Sequence, residues 1–262
     1  MTRRITRPMA SRAVARHAIV LFRELSDSLA DPAVRRSLRS CEALRNRHSG
    51  ERCFLLGNGP SLRKTDLTRL RNDVVIGTNR VYLLFDELGF STTYYVAINH
   101  LVMEQCAAEI AALPMPKFLN MASRKVAQDT PSTVFLRPVG GPRFCTDVSQ
   151  GFWHGATVTF AALQVAYHLG FHEVVLLGVD HHFETKGQPH DEVVSTGDDP
   201  NHFDPRYFGS GFRWNLPDLA TSELAYGIAD YVFRQVGRRI VDATVDGHLR
   251  VFPRVDFDSL DF

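Results

Sequence analysis

Three asparagines stand at matching places in the sequence: Asn58 follows the apolar run 53–56, Asn79 follows 74–76, and Asn99 follows 95–98. A carboxamide both donates and accepts, so three of them brought together could read ribose hydroxyls and the edge of a base without adding charge. Each alone is as readily a local turn cap; the shared register makes them a constellation. Around the first, Gly57-Asn58-Gly59-Pro60-Ser61 reads as a tight turn. Its glycines remove the Cβ atoms that would keep a nucleotide off the backbone, and Pro60 and Ser61 suit the start of the next segment. The turn is not GxGxxG and lacks the P-loop lysine, so it specifies a strand, a bend and room for a nucleotide, or a bend alone. A fourth apolar run ends at Gly178-Val179-Asp180, where a carboxylate could meet a hydroxyl or an amine.

Such residues work only if strands and helices deliver them to one place. The runs 53–57, 74–79, 94–99, 117–121, 133–139, 173–180 and 239–244 read as buried strands. Those apolar on both faces suit the interior of a parallel sheet. Between them, 104–113, 155–170 and 220–237 carry helical spacing, and the last two close at Gly170 and Gly237. The alternation predicts an α/β fold, a doubly wound, mostly parallel, Rossmann-like sheet, whose ligands lie beyond the carboxyl ends of its strands. A helix starting near Thr157 would aim its free N–H groups and positive dipole end at that region, stabilising a phosphate without a metal.

Residues 181–218 show no periodicity, and a loop of that length in a compact domain is usually functional. Its segment FGSGFRWNLPDL (208–219) reads as a glycine-flexible lid that excludes water from a reactive donor, or as a long connection pinned by aromatics. Trp153 and Trp214 are either stacking partners for a sugar or base, or core anchors. The acids and histidines of 180–204 could be read as metal ligands, but no HxH or HExxH spacing with a fixed third ligand is present, so no metal site is assigned.

The chain has 262 residues, 44% of them hydrophobic, enough to bury a large core. Its four cysteines are widely spaced with no CxxC pair, which argues against a disulfide framework or a zinc site and fits a cytoplasmic protein. No apolar run approaches the roughly 20 residues of a membrane span. The formal charge of +1 conceals an asymmetry, because residues 1–47 hold eleven arginines against four acids. The expected organisation is a basic helical extension at 1–48 and one body at 49–262. Val14, Ala18, Leu21, Phe22 and Leu25 share a helical face in the extension. That helix could pack on the body, lie on an anionic membrane surface, or belong to a transit peptide. No nucleic-acid partner is expected, and a homo-oligomer is left open.

The order of GNGPSL (57–62), the asparagines after the second and third strands, HGATVTFAALQVAYHLGFHEVVLLGVD (154–180) and the NHF…YFG loop resembles the bacterial sialyltransferases of glycosyltransferase family 42. It is also similar to related bacterial proteins labelled MptE-like, after an archaeal 6-hydroxymethylpterin diphosphokinase. The similarity spans roughly 52–255, and VFPRVDFDSL (251–260) is like the end of many MptE-like proteins. The resemblance implies a GT-A-like variant of the Rossmann sheet. It also implies a CMP-sugar site built from Asn58, Gly59, Asn79, Asn99, the turn at His154 and Gly155, and Gly178 to Asp180, with Ser61 and Thr157 beside them. In those enzymes a histidine takes the acceptor proton while tyrosine hydroxyls support the departing phosphate.

This chain departs from that pattern. The family histidine follows a tyrosine-hydrophobe-glycine triplet, but Tyr207-Phe208-Gly209 is followed by Ser210; His202 is the candidate replacement base, or a structural residue that fixes the loop by hydrogen bonding. No tyrosine occurs in DHHFETKGQPH (180–190), so Tyr207, His182 or Arg213 would have to meet the phosphate. The leading expectation is a metal-independent inverting glycosyltransferase. It would need no cofactor beyond a nucleotide-sugar donor, a CMP-linked nonulosonic acid, and would serve a surface-glycan acceptor at the inner face of the membrane. The alternatives are ATP- and Mg²⁺-dependent pyrophosphoryl transfer to a pterin, with the acids of 180–204 as ligands, and nucleotide binding without turnover.

Overall fold

The computed structural model describes residues 31–262; the amphipathic stretch at 14–25 lies outside them. All seven expected strands form. They are β1 (Arg52–Leu56), β2 (Val75–Thr78), β3 (Tyr94–Ala97), β4 (Lys117–Asn120), β5 (Thr133–Leu136), β6 (Glu173–Leu177) and, after a small antiparallel hairpin of β7 (Glu192–Val194) and β8 (Arg213–Asn215), β9 (Arg239–Asp242). The order β5-β4-β3-β2-β1-β6-β9 is parallel throughout. Every residue of β2, β3, β4 and β5 is buried, as expected of strands covered on both faces.

Among the described residues, besides a four-residue helical turn at Phe85–Leu88, the helices that flank the sheet are α1 (Pro32–Leu44), α2 (His100–Gln105), α3 (Ala107–Ala112), α4 (Val158–Leu169) and α5 (Leu219–Gln235). On one face Leu55, Val96 and Phe118 meet Phe160 and Leu163 of α4 and Phe233 of α5. Helix α4 is buried at ten of its twelve positions, which explains why it is apolar all round rather than along one stripe. On the other face Phe54, Tyr95 and Leu119 pack with Leu62, Met103 and Ile110, joined by Phe203, Tyr207 and Trp214 from the long loop.

The helix expected at 104–113 is split at Cys106, which ends α2 and starts α3. Helix α1 was not expected as such. Asp31 caps it through the Ala33 N–H (2.8 Å) and Pro32 occupies its first turn, a favoured start. Ser37 Oγ accepts from the Phe135 N–H (3.1 Å) and so satisfies the outer edge of β5. The backbone of Asn46 and His48 bonds to the end of α4. Residues 32–48, grouped by composition with the basic extension, therefore pack on the sheet. Among the described residues no helix is long and apolar enough to cross a membrane.

The order in which strands are added reverses beside β1: β2 to β5 build outward on one side, then β6 and β9 build on the other. The carboxyl ends of β1 and β6 thus flank a topological switch point, where open α/β sheets hold their ligands.

Candidate functional site

A cavity of about 610 Å³ opens at that switch point. Its floor is the set of turns after β1, β2 and β6, one wall is the start of α4, and the facing wall is the loop that carries His202.

Asn58, Asn79 and Asn99 all line it, but in different states. Asn58 Nδ2 donates to Thr78 Oγ1 (2.8 Å), which donates to the Leu56 carbonyl (2.9 Å). Asn79 sits in the left-handed region at φ 47°. The side-chain oxygens of Asn58 and Asn79 are both buried with no hydrogen-bond partner. Leaving a buried acceptor unpaired costs about 1–3 kcal/mol. Asn99 is instead the N-cap of α2, its Oδ1 accepting from Leu101 (2.9 Å) and Val102 (3.3 Å), so only its Nδ2 group remains for a ligand.

The glycines of the turn answer to the protein rather than to a nucleotide. A Cβ on Gly57 would lie 2.2 Å from the Gly178 carbonyl oxygen, and one on Gly59 would lie 1.8 Å from Asp180 Oδ2. Gly178 itself is left-handed at φ 69° and faces Leu62. The turns after β1 and β6 interlock, and Gly57 and Gly59 are small because of that. Asp180, expected to meet a ligand, is occupied within this interlock, accepting from Ser61 N (3.1 Å) and Ser61 Oγ (2.7 Å). Burial raises its pKa while the Ser61 bonds pull the other way. Ser61 lies outside the main cavity and lines a smaller one of about 270 Å³ beyond Asp180.

On the α4 wall, Gly155 and Ala156 are both left-handed, at φ 56° and 59°, and turn the chain into the helix. Thr157 caps it, Oγ1 accepting from Thr159 N (3.3 Å) and lying 3.3 Å from the Tyr226 hydroxyl. Val158 and Thr159 also line the cavity, so the first turn of a buried helix faces the open space. His154 stacks on Phe152 (4.9 Å) and its Nε2 lies 3.4 Å from Asn120 Nδ2. Burial lowers its pKa, keeping it neutral and able to accept. Burial likewise lowers that of His181, 3.7 Å from Glu223. His182 stacks on His248 (4.9 Å) where the two cavities meet.

The opposite wall holds His202. Its Nδ1 lies 2.7 Å from Asp199 Oδ2, and its ring stacks on Tyr207 at 3.9 Å and 7°. Tyr207, expected at the phosphate, is fully buried. Its hydroxyl turns inward to the Arg80 N–H (3.4 Å) and the Asn79 side chain, and burial pushes its pKa up. The half of the loop around His202 is pinned: Phe203 N donates to the Asn58 carbonyl (3.0 Å), Arg63 Nε to the Phe203 carbonyl (2.9 Å), and Arg80 Nη1 to the carbonyls of Arg206 and Tyr207. The long loop is thus a fixed platform at 199–208, joined to the exposed β7–β8 hairpin.

Arg213 does not reach the cavity. It forms exposed ion pairs with Glu104 (3.0 Å) and Glu192 (3.4 Å), of the kind worth little energetically. Alternation along β8 decides this: Trp214, one residue on, points the other way, is buried on Phe208 (5.5 Å) and lines the cavity. Asp199 and Tyr226 were not anticipated. Asp199 stands three residues before His202 in the sequence, a spacing that could have marked the pair. Among the described residues no group of three or more His, Cys, Asp or Glu side chains is gathered as a metal site would require.

The fold and site define a Rossmann-like α/β protein with a ligand cavity at its switch point. No family model matches the sequence, and no curated protein matches it. Among solved structures, a MAf glycosyltransferase from Magnetospirillum magneticum AMB-1 superposes with a TM-score of 0.52 at 12% identity, over 86% of this chain and 39% of that one. A mammalian sialyltransferase in complex with Gal-beta-1-3GalNAc-ortho-nitrophenol aligns at a TM-score of 0.37 and 13% identity, over 76% and 70% of the two chains, too distant to carry an argument. The first likeness shows the fold, and this chain spans about two fifths of that protein's length. That likeness agrees with the expected Rossmann-like α/β fold, and no comparison shows the MptE-like resemblance.

Proposed function

We propose that this chain is an inverting glycosyltransferase that takes its sugar from a nucleotide donor, a CMP-linked nonulosonic acid, without a metal. The observation that supports this is the content of one cavity: two unpaired carboxamide oxygens on its floor, a helix start on one wall and a histidine on the other. The amine of cytosine and the hydroxyls of ribose are donors, matching the free oxygens of Asn58 and Asn79. The α4 start suits the phosphate, whose negative charge its N–H groups and dipole stabilise. His202 then takes the proton of an acceptor hydroxyl as that oxygen bonds to the anomeric carbon. The bond from that carbon to the phosphate oxygen breaks, and its electron pair leaves with CMP. The acceptor attacks from the face opposite the leaving group, so the configuration inverts.

A thermal-shift panel of CMP, CDP, UMP, ATP and GTP, each with Mg²⁺ and with EDTA, tests the reading. CMP is expected to give the largest shift, unchanged by EDTA; at a hundred times its Kd it would add about 2.7 kcal/mol to stability. Stabilisation by ATP alone, and only with Mg²⁺, would instead support pyrophosphoryl transfer.

A further inference from the structure

Among the imidazoles that line the cavity, that of His202 faces a buried carboxylate. Asp199 is nearly inaccessible, and its contact with His202 is buried on both sides, with side-chain exposures of 3% and 12%. Its carboxylate is itself anchored: Oδ1 accepts from Asn201 N (2.8 Å), and Oδ2 accepts from Phe208 N (3.0 Å) beside His202 Nδ1 (2.7 Å). An ionised carboxylate has no proton to give, so the proton in this bond belongs to Nδ1. In the neutral ring Nε2 then carries the lone pair, and no protein group among the described residues bonds to it while the residue lines the cavity. Tyr207 lies flat beneath the ring, and Phe208 and Trp214 meet it edge-on. The stack sets the plane of the imidazole and the carboxylate sets its rotation within that plane.

Resting on the transferase reading, we propose that Asp199 is the positioning residue that holds His202 as the Nδ1–H tautomer, presenting Nε2 as the proton acceptor for the incoming hydroxyl. In the step, the O–H proton passes to Nε2 and the imidazolium formed is stabilised by the carboxylate already on Nδ1. Asp199 touches neither donor nor acceptor. Its effect on rate passes through His202.

The substitution Asp199→Asn separates this from a purely structural role. An amide nitrogen facing Nδ1 donates where the carboxylate accepted, and favours the Nε2–H tautomer. A long-range ¹H–¹⁵N spectrum at about pH 8, with the His202 signals identified by their loss in His202→Gln, is expected to show protonated Nδ1 and bare Nε2. In Asp199→Asn that pattern reverses or mixes. Release of CMP from CMP-N-acetylneuraminate is expected to lose at least about a hundredfold in kcat in Asp199→Asn, the low end for a positioned base, with KM and CMP affinity within about twofold, which also shows that the variant is folded. In the double variant Asp199→Asn, His202→Gln, the loss equals that of His202→Gln alone, because residues acting as one unit are not additive. An Nε2–H tautomer in the unsubstituted protein, a tautomer unmoved by Asp199→Asn, or additive losses would each overturn the proposal. Absence of turnover in the unsubstituted protein, alongside the expected tautomers, would defeat the transferase reading while upholding the Asp199–His202 pairing.

Discussion

Alanine in place of His202 is expected to lower donor turnover at least about a hundredfold while leaving the affinity for CMP within about twofold. The reason is division of labour within the cavity. In the proposed reading the nucleotide would meet the turns after β1 and β2 and the start of α4, whereas His202, on the facing wall, would meet only the acceptor. Losing the base removes an interaction made in the transition state, so the change should fall on kcat and not on KM. Because alanine also removes the ring stacked on Tyr207 and bonded to Asp199, the same assay on His202→Gln checks that the loss is chemical. Turnover near that of the unsubstituted protein in both variants would remove His202 from the base role.

The second large effect is on the scaffold. Gly57→Ala would set a Cβ 2.2 Å from the carbonyl oxygen of Gly178 and 2.7 Å from its carbonyl carbon. Both are backbone atoms, so no rotamer change relieves the overlap and β1 and β6 must move apart at the switch point. Overpacking of this kind costs about 3 kcal/mol or more at its severe end, which in a domain of this size lowers Tm by roughly 6–12 °C. The control is Gly227→Ala on the exposed side of α5, where an added Cβ meets nothing within 4 Å and helix propensity predicts a gain of about 0.5–1 kcal/mol. Calorimetry on the two variants should give shifts of opposite sign. A Gly57→Ala protein as stable as the unsubstituted one would show that the two turns do not interlock.

Much of this architecture was legible before any coordinates. Seven strands could be placed because strands buried on both faces are apolar without interruption, and α4 could be ended at Gly170 because a left-handed cap at φ 98° calls for glycine. The asparagine register was legible too, since a strand that ends at the same height delivers its next residue to the same place. What a carboxamide then does was not: Asn99 caps a helix while the oxygens of Asn58 and Asn79 stay free, and only the third dimension distinguishes them. Helix α1 was hidden in arginine-rich composition, its buried face reduced to Val34, Ser37 and Cys41. The turn glycines were legible as a need for space but not as to what fills it, because Gly178 and Asp180 lie more than a hundred residues away. The loop resisted most. Three-residue strands in β7 and β8 leave no period to read, and the alternation that sends Trp214 inward and Arg213 outward appears only once β8 is known to be a strand. Asp199 was lost among the other acids of the same polar segment.

The most direct measurement is a structure of the protein with CMP bound in the presence of EDTA. The phosphate is expected against the N–H groups of the first turn of α4, with donors of the base or ribose on the free oxygens of Asn58 and Asn79. A nucleotide bound outside this cavity, or seated within it while both of those oxygens stay unpaired, would contradict the assignment of the site.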